Sequence, residues 1–271
     1  MHNKKRLSTI ISVILLGIIA VGFLFPFVWM VATSLKPTTE VFSLSPTGSR
    51  IAWDNYPSAL NSIPFGRVVL NSFIVSLAGA ALVVVVSVLS AYAFARLRFK
   101  GRDHLFMLFL GTLVLPQEVL VIPLYIGMQR MGLVNSYFAL IVPFAFGAFG
   151  AFLIRQFLMS LPLEFEEAAR IDGCSDWKIL TKILLPLLKA PITVVGVFAF
   201  IDYWSAFLWP LIVVNDSTIP LGLQMFSGER GTDWGPLMAA VTMTTIPSIL
   251  LVVFLQKQLE KGVTLGAFGG R

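Results

Sequence analysis

Charge is scarce in this chain. Asp, Glu, Lys and Arg together make up only 13% of its 271 residues, about half the share of an ordinary soluble domain. Cysteine is scarcer still. Cys174 stands alone, so no intrachain disulfide forms and no thiolate cluster is available for zinc. Its expected role is that of a small packing residue. His2 and His104 are the only histidines. Neither pairs with a nucleophile or a metal-ligand set in the sequence, so no catalytic and no metal-binding residue is expected. The phosphate loop G-x-x-x-x-G-K-[ST] is missing as well. The chain is therefore not expected to bind or hydrolyse ATP, and it carries no cofactor of its own.

What it has in abundance is hydrocarbon. The composition is 57% hydrophobic, with a mean hydropathy of +0.86. One core cannot bury that much apolar surface, so lipid must solvate part of it. The net charge of +6 then bears on membrane orientation and does not point to nucleic acid. The basic head His2 to Arg6 followed by apolar residues resembles a signal peptide at first sight. The apolar run reaches roughly Leu35, past the usual 7–15 residues, with no small-x-small cleavage site. A retained spanning helix is expected instead.

Six stretches are long enough to span: 10–34, 68–95, 104–128, 137–159, 192–214 and 236–257. They do not alternate in polarity, which excludes a barrel. The expectation is an all-α membrane protein with six transmembrane helices, forming a single transmembrane domain over 1–271. Its core covers about 68–257, a cytoplasmic loop about 160–191, and a cytoplasmic tail 258–271. Of the 20 Lys and Arg residues, all but Lys36, Arg50, Arg67, Arg130 and Arg230 fall on one side of these spans. The positive-inside rule puts that side, with both termini, in the cytoplasm. The segments left outside are 36–67, 129–136 and 215–235. Small residues recur every four positions at Ser76 and Ala80, at Ser87, Ala91 and Ala95, and at Gly147 and Ala151. This spacing lets helices approach closely in lipid.

The loop at 160–191 is a polar island between two apolar runs. Pro162 can open a helix. Glu164, Glu166 and Glu167 suit its positive end, and Gly173 can close it. A short helix near 163–172 follows. Ala168 and Ala169 lower its profile, so that another surface can come close. The sequence Glu167-Ala168-Ala169, three residues, Gly173, nine residues, then Ile183-Leu184-Leu185-Pro186 resembles the cytoplasmic loop of bacterial ABC importer permeases.

Further stretches resemble the carbohydrate branch of that family, the maltose-type second permease in particular. They include Ser34-Leu35-Lys36, Asn71-Ser72, Ala91-Tyr92-Ala93-Phe94-Ala95-Arg96, Pro123-Leu124-Tyr125, Phe207-Leu208-Trp209-Pro210-Leu211 and Gly262-Val263-Thr264-Leu265-Gly266-Ala267. Two positions depart from it. Ser205 stands where the family often has Asn, and the tail ends in Phe268 to Arg271 without the usual lysine.

The resemblance implies a type I importer permease in the bacterial cytoplasmic (inner) membrane. It implies a second homologous permease, two ATP-binding subunits that carry ATP and Mg, and an extracytoplasmic solute-binding protein as partners, with no nucleic acid. It assigns ATPase coupling to Glu167, Ala168, Ala169, Asp172, Gly173 and Pro186. It gives Gly262, Thr264 and Gly266 a tail contact with the ATPases, and Asp216, Glu229, Arg230 and Trp234 a contact with the binding protein.

Glu118 and Asp202 fall near mid-membrane, where ionisable groups face a cavity or a partner. With Gln117, Tyr203 and Trp204 they form a candidate solute path, since acids and amides beside aromatic faces suit sugars. A structural role, hydrogen-bonded to a neighbouring helix, is the alternative for each. For the whole chain, the alternative is an autonomous ion-coupled transporter that uses Glu118 or Asp202. Its inverted repeats with broken helices are not visible in the sequence.

Overall fold

The computed structural model describes residues 2–45, 47–215, 218–228 and 231–268. Its described residues are almost wholly helical: α1 (His2–Ser34), α2 (Asn55–Ser62), α3 (Phe65–Arg96), α4 (Arg102–Gly111), α5 (Gln117–Arg130), α6 (Tyr137–Ile141) and α7 (Ala148–Ser160). These are followed by α8 (Glu164–Ile171), α9 (Asp176–Ile179), α10 (Leu185–Leu187), α11 (Lys189–Ser205), α12 (Leu208–Val213), α13 (Ile219–Gln224) and α14 (Trp234–Phe268). Strands β1 (Ser227–Gly228) and β2 (Gly231–Thr232) pair antiparallel. They were not foreseen in the segment 215–235.

Three helices cross the length and hydropathy needed for a membrane on their own, over Thr9–Ser34, Phe65–Arg96 and Trp234–Gln258. Three bent pairs bring the candidates to as many as six. Three of the spans expected to be continuous are in fact interrupted. The third breaks between α4 and the helix that begins at Gln117, with a bend of 102°. Its cause is Pro116, which pushes Leu115 into an extended conformation (φ −78°, ψ 120°). The fourth breaks between α6 and α7, where Gly147 is extended (ψ 142°). The fifth breaks at Ala206 and Phe207, between α11 and α12.

The chain divides into two compact units, Met1–Gly66 with Gly222–Ile246, and Arg67–Leu221 with Pro247–Arg271. In the first, the segment after α1 is folded and is not a simple loop. Lys36 is fully buried, donating to the Ser43 carbonyl at 3.1 Å, with its ammonium 4.4 Å from the Trp29 ring centroid. The Asn55 amide donates to the carbonyls of Ser34 and Lys36. Ala59, Ile63, Phe226, Ala239 and Ala240 form the local core.

The second unit holds two cores. Val75, Val121, Met128, Leu140, Tyr203 and Trp209 make one. The other joins Val88, Ala91 and Tyr92 of α3 to Ile154 and Leu158 of α7, Ala169 of α8, and Ile179, Leu180 and Leu184. The small-residue spacing is realised here: Ser76, Ser87, Ala91 and Ala151 are all buried. The tightest approach, however, is at Gly150 and not at Gly147. A Cβ on Gly150 would meet the Ser87 hydroxyl at 2.2 Å, whereas one on Gly147 would meet nothing within 4 Å.

Candidate functional site

Helix α8 forms where the sequence placed it. Three glutamates occupy its first turn, where negative charge complements the helix dipole. Gly173 ends it in the left-handed region (φ 76°). The Gly173 N–H donates to the Arg170 carbonyl at 3.0 Å and the Cys174 N–H to the Ala169 carbonyl at 2.9 Å. This pair of bonds is a Schellman closure, which needs a residue without a Cβ penalty at Gly173. Ser175 then caps α9, its hydroxyl accepting from the Lys178 N–H. Pro186 lies at the start of α10, after a π turn over Leu180–Leu184.

The helix presents two distinct faces. Glu167 and Ala168 point outward, along with Asp172. Ala169 does not: it is buried in the core shared by α3, α7 and α9. The expectation that both alanines thin the outer surface is corrected to Ala168 alone. Ala169 keeps α8 close to its own support. The outward side also carries Leu163, Phe165, Ile171 and Trp177, with Ile171 86% exposed. Sequence reasoning passed over these four. Large apolar side chains inside a polar loop were the available signal.

Glu166 was also missed as a distinct residue. Its side chain is 1% exposed, and Arg96 Nε donates to its Oε1. Arg96 Nη2 also donates to the Leu158 carbonyl at 2.7 Å and to the Leu161 carbonyl at 3.3 Å. On the outer side, Arg170 Nη2 donates to Asp176 Oδ1 at 3.2 Å and lies 4.0 Å from Glu166 Oε2. The Asp176 hydrogen bond pushes the Arg170 guanidinium pKa upward. A second clamp lies beside the first. Arg155 donates to the Phe94 carbonyl at 3.2 Å, sits 4.1 Å from the Phe106 ring centroid and lies 3.7 Å from Asp103.

A cavity of about 470 Å³ opens in the second unit. Gln117, Glu118, Asp202 and Tyr203 all line it, with Phe144, Phe149, Phe198 and Trp209. Leu113, Phe144, Gly147, Ala206 and Phe207 from the three helix breaks line it too. Trp204 does not. It is buried against Phe73 and stacks on Phe200, with ring centroids 4.8 and 5.4 Å away. Tyr203 is held in place by its hydroxyl, which donates to the Ile141 carbonyl at 2.6 Å. Glu118 lies in the first turn of α5. Asp202 is exposed to the cavity and has no hydrogen-bond or ion-pair partner among the described residues. No Lys, Arg or His lines the cavity among the described residues.

The outer and tail candidates are less complete. Trp234 opens α14, with its ring edge-on to Phe42 at 5.5 Å. Asp216, Glu229 and Arg230 lie outside the described residues. Gly262, Thr264 and Gly266 fall on the last turns of α14, within the stretch 258–271 read as a tail. Their side-chain surroundings lie outside the described set. Among the described residues, no group of His, Cys, Asp and Glu could hold a metal ion.

The family described as binding-protein-dependent transport system inner membrane component matches residues 83–265. The sn-glycerol-3-phosphate transport permease UgpE of Pectobacterium atrosepticum is 36% identical over 278 residues, covering 97% of this chain and 98% of the relative. The arabinooligosaccharides permease AraQ of Halalkalibacterium halodurans is 33% identical, covering 98% and 100%. The lactose permease LacG of Rhizobium radiobacter is 31% identical, covering 96% of each chain. Among solved structures, a bacterial ABC transporter involved in import of the acidic polysaccharide alginate superposes with a TM-score of 0.82. It is 24% identical and covers 94% of this chain and 98% of its own, so it supports the fold alone.

Proposed function

The chain belongs to the family of binding-protein-dependent transport system inner membrane components, as a multi-pass permease of an ABC importer, and from that premise we propose that its solute is a neutral sugar or oligosaccharide. It performs no covalent chemistry. Importers of this family work with ATPase subunits and a solute-binding protein. We infer that the importer contains two ATPases and that a second, homologous permease completes the path. The autonomous ion-driven alternative falls away.

The observation that carries the sugar reading is the cavity. Glu118 and Asp202 supply hydrogen-bond acceptors for hydroxyl groups, and Tyr203, Trp209 and Phe198 supply faces for sugar C–H groups. Relatives named for lactose and arabinooligosaccharides agree with it. A phosphate ester is the competing reading, favoured by the UgpE relatives. The lining disfavours it, since among the described residues it holds two carboxylates and no cation. At an illustrative separation of about 8 Å and an effective dielectric near 20, each carboxylate repels an anion by about 2 kcal/mol. The positive first turn of α5 offers little relief, because Glu118 already occupies it.

In the proposed cycle, Glu167, Ala168, Asp172 and Gly173 meet the ATPase, with Ala169 and Pro186 shaping that surface from behind. ATP binding closes the ATPases and turns the cavity outward, and hydrolysis resets it. Gln117, Glu118, Asp202 and Tyr203 line the path, and Trp204 supports it from behind. Asp216, Glu229, Arg230 and Trp234 would meet the binding protein, and Gly262, Thr264 and Gly266 the ATPases.

The test is uptake by the reconstituted importer of radiolabelled neutral oligosaccharides, glycerol 3-phosphate and a uronate. Neutral solutes should be taken up, and Asp202→Asn should lower their uptake while improving relative access of the anions. Preferred uptake of glycerol 3-phosphate by the unaltered importer refutes the sugar reading.

A further inference from the structure

We propose that Arg96 and Glu166 are positioning residues that link the coupling helix α8 to the spanning helix α3, so that movement of α8 is transmitted to the cavity wall. The proposal rests on the reading that the ATPase docks on α8. The pair itself is a separate observation. Arg96 is the last residue of α3, and Glu166 lies 70 positions away on the inner face of α8. Both side chains are buried, 7% and 1% exposed.

The arrangement differs from an ordinary surface ion pair. A single guanidinium joins three elements, because it also donates to the Leu158 and Leu161 carbonyls. These lie at the C-terminal end of α7, where carbonyls lack helical partners and a cation is favoured. The planar fork of Arg fixes the direction of all three bonds at once, which an ammonium cannot do. Stability does not account for the pair, since apolar residues of similar size often serve a fold as well or better. An apolar contact would, however, let α8 slide across the end of α3, whereas a buried fork with fixed bonds carries displacement.

Both ends of the pair lead somewhere. Outward, Glu166 Oε2 faces Arg170, which is bonded to Asp176 on the exposed side. Inward, Tyr92 lies one turn before Arg96, and it and Val88 belong to the core shared with Ala169. Further along the same helix, Gly79 packs against the Tyr203 ring, and Val75 and Val83 line the cavity. A contiguous set of packed groups thus runs from the outward face of α8 to the lining residues.

The test uses the importer purified with its ATPases, carrying Cys174→Ser and a reporter Ser205→Cys in the cavity wall. The readout is the rate of N-ethylmaleimide labelling with and without Mg and a non-hydrolysable ATP analogue, per assembled complex. The reporter importer should change its labelling rate by about threefold or more on nucleotide binding. Glu166→Gln should abolish that change while the ATPases stay attached and bind nucleotide as before. A merely structural role would lower the yield of complex and leave the response per complex intact. Arg96→Lys keeps the charge and loses the fork, so it should weaken the response. It also serves as the second variant if Glu166→Gln fails to assemble. A full nucleotide response in an assembled variant overturns the link. A reporter importer that ignores nucleotide overturns the ATP-coupled reading beneath it.

Discussion

Replacing Gly79 with alanine should damage the permease far more than one methyl group ordinarily does. The ideal Cβ at that position would lie 2.5 to 2.7 Å from Cε2, Cδ2 and Cζ of Tyr203. Carbon atoms settle at about 3.5–4.0 Å, so ring and helix must part by about 1 Å. The ring is not free to yield, because the Tyr203 hydroxyl is bonded to the Ile141 carbonyl at 2.6 Å. Overpacking of this kind costs about 1–3 kcal/mol, and losing the hydrogen bond adds about 1 kcal/mol. A displaced Tyr203 also alters the cavity that it lines. The assay pairs thermal inactivation of the importer in detergent with solute uptake per assembled complex. Gly22→Ala is the control. It lies on α1 with nothing within 4 Å of its Cβ, and helix propensity there favours alanine by about 1 kcal/mol. Gly79→Ala should lose both stability and uptake, and Gly22→Ala neither. If the two behave alike, the close approach of α3 and α11 is not as described and the argument fails.

Two further outcomes follow from single faces and single bonds. Ala168→Trp should abolish ATPase attachment while the permease inserts and accumulates normally, because Ala168 faces outward. Ala169→Leu should instead lower the amount of folded permease, since that side chain is buried in the core; co-purification and membrane abundance separate the two. The Glu40 carboxylate accepts bonds from the Ser49 hydroxyl and N–H, which hold its pKa below the usual carboxylate value. The stability it lends the segment 40–49 is therefore present above the unfolded pKa of about 4.5 and is lost as pH falls through the lower folded value. The protection factor of the Ser49 amide, its exchange rate corrected for the intrinsic pH dependence, should fall in that acidic window and not on alkalinisation.

The parts legible in the sequence were those with a repeat length or a fixed local grammar. Spanning runs announce themselves through about 20 apolar residues, and α8 through its acidic first turn and its closing Gly173. Glu118 and Asp202 stood out because a charge in lipid is costly, and both line the cavity. What stayed hidden depended on distance in sequence. Nothing local pairs Arg96 with Glu166, or distinguishes Glu166 from Glu164 and Glu167. Ala168 and Ala169 are identical as letters, and only the 100° step of a helix sends one outward and the other into the core. Trp204 adjoins two lining residues and points elsewhere for the same reason. The breaks were hidden because hydropathy sums run straight through them.

Those breaks bear on how so few polar side chains could guide the proposed hydroxyl-rich solute. In hydrocarbon a helix satisfies its own backbone, and non-helical backbone is tolerated only when it is covered by protein or lines a cavity. Three interruptions, after α4, between α6 and α7, and between α11 and α12, all contribute to one cavity wall. Each interruption leaves carbonyls and N–H groups without the usual partner four residues away. Chance would scatter such costly features along the spans. Their convergence puts Leu113, Phe144, Gly147, Ala206 and Phe207 in one lining with Gln117, Glu118 and Asp202. On the proposed solute path, substituting any one of Gln117, Glu118 and Asp202 should narrow solute choice without closing the route, whereas a residue that restores continuous helix through 112–116 should close it.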